Sequence, residues 1–161
     1  GTTLGYLAQE HRADIPDGTT VANYLHSFAP TADLQTVRGL LGRMLFKGEE
    51  GNKPTAALSG GEAVRLIFSK LMLMEDNVLI LDEPTNHLDL ESIVALGDAL
   101  EKYEGTCFIV THDRDLVNSF ATRIFAFTDN GLVDWRGSYE DFQERYDNAR
   151  KAGDKDVSAF A

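Results

Sequence analysis

The chain has 161 residues, 43% of them hydrophobic and 25% charged, which is room for one domain with a real core. Its 15 Lys and Arg stand against 26 Asp and Glu, a formal net charge of −11, so most of the surface repels a polyanion and no direct nucleic-acid contact is expected from it. No apolar run approaches the ~20 residues that span a bilayer. The single cysteine, Cys107, lies inside the apolar run Cys107–Val110 and reads as a reduced, packed thiol in a cytoplasmic protein. Gly1 rather than Met stands first, which fits a processed, tagged or excised segment.

Thr3 to Ala8 read as a short strand that ends in a polar corner at Gln9, Glu10 and His11. Val21, Tyr24, Leu25 and Phe28 then recur at helical spacing. Leu34, Val37, Leu41, Met44 and Leu45 repeat the pattern behind the N-cap candidate Asp33. Lys47 to Pro54 is a polar, Gly-rich loop. A helix over Glu62–Met74 is apolar nearly all round, which implies burial. Val78–Leu81 has no polar alternation and predicts a central parallel strand covered on both faces. A helix from about Leu90 to Tyr103 follows, with Asp89 as cap and Ile93, Val94, Gly97 and Leu100 on one side. Phe108–Val110 is a second buried strand and Asp115–Ala121 a short helix. The strands Arg123–Phe127 and Leu132–Trp135 flank an Asn-Gly hairpin signal, and a last helix opens at Ser138 with Tyr139, Phe142 and Tyr146 on one stripe. Alternating strands and helices predict a parallel α/β sheet, with a disordered tail after Arg150.

In open α/β sheets ligands sit at the carboxyl ends of the strands, and three strands end there in polar residues: Gln9, Asp82-Glu83 and His112. A carboxylate at such an end can hold Mg²⁺ and its neighbour can deprotonate water; the plainer reading is two solvated acids before a Pro turn. Leu58-Ser59-Gly60-Gly61-Glu62 forms a capping box. Its two glycines also leave bare N–H groups at the positive end of a helix, where an anion can bind. His112 fits either a phosphate contact or an ordinary turn histidine, and Gln9 by itself says nothing. His11, His26 and His87 show no metal spacing.

In order, the chain reads YLAQ, LSGGE, VLILDEP, NHLD and VTHD, and over essentially its whole length it resembles the ABC ATPase family. Gln9 matches the Q-loop, Leu58–Glu62 the signature motif, Val78–Asp82 Walker B, Asn86–Asp89 the D-loop and His112 the switch histidine. The form DEPTNHLD, the signature ending in Glu62 and Gly137-Ser138-Tyr139 before an aromatic helix look like the second ATPase domain of the ABC-F subfamily. Those are soluble proteins with two ATPase domains in one chain, mostly translation factors acting on the ribosome. The phosphate-binding Walker A string G-x-x-x-x-G-K-[ST] occurs nowhere in the chain.

The resemblance implies a P-loop NTPase core with a parallel sheet and a small α-helical subdomain, lacking the Walker A strand and loop. Residues 1–9 and 76–150 would be core, 10–75 the helical subdomain with the signature helix, and 151–161 a tail. It further implies ATP and Mg²⁺ as cofactors and a second ABC ATPase domain as partner. Ser59, Gly60, Gly61, Glu62 and Asp89 would face the nucleotide across that interface, Asp82 and Gln9 would serve Mg²⁺, and Glu83, His112 and Gln9 would be catalytic. Any ribosome contact would lie outside this acidic segment, which alone should neither bind nor hydrolyse ATP. The Phe108 strand should present an unpaired edge where the Walker A strand normally lies. The rival readings are a membrane transporter's ATPase subunit, which shares every motif, and a non-catalytic interaction module, against which Glu83 and His112 speak. A chromosome-maintenance ATPase needs a coiled coil between Gln9 and Leu58, for which that interval has no room.

Overall fold

The computed structural model describes residues 1–9, 12–128 and 131–152. They form two compact bodies, Gly1–His112 and a second from Asp113 onward. The first holds a three-stranded parallel sheet in the order β1 (Leu4–Leu7), β2 (Val78–Asp82), β3 (Thr106–Val110). Its helices are α1 (Val21–His26), α2 (Leu34–Arg43), α3 (Gly60–Met74) and α4 (Leu90–Glu101). The caps expected from sequence form: Asp33 accepts from the Thr36 N–H, Ser59 from that of Glu62 and Asp89 from that of Ser92.

The helix α3 is the spine of this body. Leu66, Ile67 and Phe68 are buried in a core shared with Val21 and Leu25 of α1 and Val37 and Leu41 of α2. α3 also packs on β1, so that a Cβ at Gly5 would lie 2.9 Å from the Leu71 side chain. That places Leu7, Leu79 and Leu81 on the covered face of the sheet.

Three expectations are revised. β2 is buried on one face only: on the other, Leu4, Tyr6, Phe108 and Val110 are 51–58% exposed, because within this body the helix that packs on the sheet lies on one side. β3 is therefore half-buried rather than buried, and among the described residues it is a sheet edge. α4 buries Ser92, Ala95, Leu96 and Leu100, a stripe turned away from Val94, which is 56% exposed. Small Ser92 and Ala95 suit a helix lying close to its neighbour. The loop at 47–54 contains a 3-10 turn over Gly48–Asn52. Burial pushes the Cys107 thiol up to about 11, which keeps it protonated and unreactive.

The second body contains α5 (Arg114–Phe120), an antiparallel hairpin of β4 (Ile124–Thr128) and β5 (Gly131–Trp135), and α6 (Tyr139–Ala152). Arg123 pairs with Asp134 through two contacts of 2.8 and 2.6 Å. Tyr139, Phe142 and Tyr146 form the expected aromatic stripe, packed around Val133 and Trp135. The central pair of the expected hairpin turn, residues 129 and 130, lies outside the described residues, as do Glu10, His11 and the tail from 153. Among the described residues no helix is long and apolar enough to cross a membrane.

Candidate functional site

The parallel register brings the carboxyl ends of β1, β2 and β3 to one rim. Gln9 follows β1, Asp82 ends β2 and His112 follows β3. Asp82 is half-buried, opposite Val110. The next residue carries the most specific geometry. Glu83 has a left-handed backbone, φ 48°, although a residue before proline ordinarily stays extended. Such a conformation costs about 1–3 kcal/mol and persists only where surroundings impose it. Here its N–H donates to the Val110 carbonyl at 2.8 Å and its carbonyl accepts from Asn86 N–H at 3.1 Å.

That turn sends the Glu83 side chain, 13% exposed, onto His112: Oε1 lies 3.4 Å from Nε2, and Oε2 lies 3.4 Å from the His112 N–H. The imidazole is 98% exposed, free to reach a ligand while its backbone stays tied to the carboxylate. A cleft of about 700 Å³ opens at the opposite ends of the strands, beside Asn77 and Gly105, and contains none of these rim residues.

The N-terminus of α3 forms the second cluster. Ser59 Oγ accepts from the Glu62 N–H at 3.3 Å, and Glu62 Oε2 accepts from the Ser59 N–H at 2.7 Å. The first bond along the helix runs from the Ala63 N–H to the Ser59 carbonyl at 2.9 Å. Among the described residues this leaves the N–H groups of Gly60 and Gly61 without acceptors, at the positive end of a 15-residue helix. The turn from Glu83 to Asp89 joins the two clusters, since the His87 backbone abuts Gly61.

The two glycines differ there. A Cβ on Gly61 would meet the His87 carbonyl oxygen at 2.8 Å, whereas one on Gly60 would sit 3.8 Å from the His87 Cβ, an ordinary contact. Gly61→Ala should therefore cost about 1–3 kcal/mol of stability and Gly60→Ala within about 0.5 kcal/mol. Thermal melts of the two variants check this; equal stabilities would show that the close approach constrains nothing.

Glu62 does more than cap. Both carboxylate oxygens lie 2.8 Å from Lys53 Nζ, and its side chain is 14% exposed. Burial would raise its pKa, but hydrogen bonds from Lys53 and Ser59 and the Lys53 charge outweigh it and hold the group below its ordinary value. Because the unfolded chain takes up the proton first, this contribution is complete above the ordinary value of 4.5 and fades as pH falls through the lower folded value. The gap in melting temperature between parent and Glu62→Gln should accordingly be constant near neutrality and close in acid; a gap that persists in strong acid would contradict it. Hydrogen bonds from the Ser92 side chain and backbone likewise hold the exposed Asp89 carboxyl low, engaged at the α4 cap.

Sequence reasoning found the rim and the signature turn but missed Lys53 and Arg65. Arg65 reaches from α3 to the Met44 carbonyl at 3.0 Å and lies over the Phe46 ring. Lys53 lies nine residues before Glu62 across a short 3-10 turn, Thr55–Ala57, and the start of α3, so no single periodicity links the two.

A parallel sheet with a carboxylate pair and histidine at its rim, joined to a glycine-opened helix, defines an ATP-binding cassette domain. The chain belongs to that family: the model described as ABC transporter matches residues 1–86. Its relatives are ABC-F-like. It is 46% identical over 140 residues to the Probable ATP-binding protein YbiT of Escherichia coli O157:H7, covering 86% of this chain and 26% of that one. It is 40% identical over 117 residues to ABC transporter F family member 2 of Arabidopsis thaliana, covering 73% and 17%. The chain thus spans about a quarter or less of the curated relatives it matches. Its fold is that of a dimeric, post-hydrolysis ATP-binding cassette bound to ADP and Pi, at TM-score 0.65 and 18% identity, covering 77% of this chain and 58% of that one.

Proposed function

We propose that this chain supplies the catalytic rim and signature face of an ABC-F-like domain that hydrolyses ATP with Mg²⁺ against a second ABC ATPase domain. The observation that carries the reading is Glu83, a carboxylate aimed by a left-handed turn and engaged with His112 at the rim. The donors fit a hard ion brought by a nucleotide: Asp82 offers carboxylate oxygen, and among the described residues no cluster of three or more His, Cys, Asp or Glu would hold a metal unaided.

Mg²⁺, when bound, neutralises charge on the nucleotide phosphates. Asp82 and Gln9 would hold that ion through their side-chain oxygens. Glu83 accepts a proton from the attacking water, and His112 donates to the transferring phosphoryl group. Ser59 and the Gly60 and Gly61 N–H groups take the terminal phosphate of the ATP seated on the partner domain, with Glu62 and Asp89 holding the turns that present them. Residues 1–9 and 76–150 act as core and 10–75 as the helical subdomain. ATP closes the pair of domains, and hydrolysis reopens it. Likeness to ABC-F proteins supports a cytoplasmic, ribosome-associated translation factor. The net charge of −11 assigns any RNA contact to other parts of such a protein. Phosphate release from MgATP by a full-length protein carrying this segment tests the reading; release that survives loss of the Glu83 carboxylate would sink it.

A further inference from the structure

The signature motif contains an electrostatic conflict. Its free Gly60 and Gly61 N–H groups suit an anion, yet Glu62 places a carboxylate in the same helical turn. A helix N-terminus favours either negative charge, but the two repel one another. Lys53 lies against the carboxylate, 2.8 Å from each oxygen, and the pair is mostly enclosed, with 32% and 14% exposure. Among the described residues of this body, the other ion pairs of Lys or Arg, Arg12–Asp17 and Lys47–Glu91, leave their carboxylates 75% and 72% exposed. Lys53 is also held from both sides of its backbone: its N–H donates to the Glu50 carbonyl at 3.1 Å, and its carbonyl accepts from the Val21 N–H at 3.0 Å.

We propose that Lys53 is a positioning residue of the signature motif, neutralising Glu62 so that Ser59, Gly60 and Gly61 can take the terminal phosphate of a nucleotide held by the partner domain. The inference rests on the ATPase reading above and deepens it. Lys53 touches no nucleotide in this account. It acts through Glu62, by cancelling repulsion and by keeping Glu62 Oε2 on the Ser59 N–H.

The test compares Lys53→Met, Lys53→Arg, Glu62→Gln and the Lys53→Met/Glu62→Gln pair in the full-length protein, reading half-saturating ATP and kcat separately. Lys53→Met should raise half-saturating ATP about tenfold, as one uncompensated charge at a partly exposed site does, with a smaller change in kcat. Lys53→Arg should stay near the parent, and Glu62→Gln should lower half-saturating ATP, because the amide oxygen can still accept from the Ser59 N–H while the Lys53 charge is left uncompensated beside the phosphate. The double variant should return to within about threefold of the parent, because the lone carboxylate is gone. A merely structural tie is also relieved in the double variant but acts through lost folding, so melting temperatures are read beside the kinetics. Half-saturating ATP that is raised in Lys53→Met only where that protein is partly unfolded overturns the proposal, as does a double variant as impaired as Lys53→Met or a Lys53→Met protein with parental values. Should Lys53→Met fail to fold, the double variant decides by the same criterion: parental half-saturation supports the proposal and a raised value overturns it. A parent without ATP turnover overturns the ATPase reading and this inference together. An active parent without rescue overturns this inference alone.

Discussion

Glu83→Gln in the full-length protein should lower ATP turnover by roughly 10²–10⁴ while leaving nucleotide binding intact. The substitution keeps volume and shape, so the left-handed turn, the Val110 bond and an oxygen facing the His112 N–H all remain available. What disappears is the carboxylate that we propose as the base for the attacking water. Binding should even tighten. Two like charges ~4 Å apart at an effective dielectric of ~20 repel by about 4 kcal/mol before the metal offsets it, and the amide removes that repulsion. Single-turnover phosphate release and equilibrium nucleotide binding separate the two effects. A variant that turns over like the parent would remove Glu83 from the mechanism and leave its strained backbone without a functional account.

The 161-residue chain by itself should show no saturable micromolar ATP site and no hydrolysis. It contains no G-x-x-x-x-G-K-[ST] string and hence no lysine-bearing N–H cradle for the phosphates. The anion donors that the signature turn provides are the Ser59 hydroxyl and the N–H groups of Gly60 and Gly61. Charge-assisted hydrogen bonds contribute about 1.5–3 kcal/mol each, so three give about 4.5–9 kcal/mol before the cost of association, which removes about 4 kcal/mol or more. A micromolar site needs about 8.2 kcal/mol after the cost of association has been met. The rim carboxylates Asp82 and Glu83 and a net charge of −11 work in the opposite direction. Titration calorimetry with MgATP measures this directly; a micromolar isotherm would mean that the remaining groups form a site of their own.

The two expectations draw on different kinds of information. Features set by a few neighbouring residues were readable from the chain itself. Asp33, Ser59 and Asp89 cap helices because a short oxygen-bearing side chain reaches an N–H three residues on, whatever the rest of the molecule does. Val78–Leu81 forms the central strand because its apolar, strand-favouring residues bury Leu79 and Leu81 on the covered face, and parallel strands then bring Gln9, Asp82 and His112 to one rim.

Tertiary structure decided what depends on distant partners. Glu83 occupies a left-handed backbone that propensity disfavours before proline, and β3 imposes it through the Val110 carbonyl, 27 residues away in sequence. The stripe that α4 buries is chosen by the helix beside it, which admits Ser92 and Ala95 and leaves Val94 outside. Lys53 meets Glu62 only because the chain between them folds back through a 3-10 turn and the start of α3. Residue types and local spacing therefore determined which groups stand at the sheet rim and at the start of α3, the groups to which we assign phosphate binding and water activation. Their aim and their charge compensation came from contacts between segments far apart in the chain, where no local energy term operates.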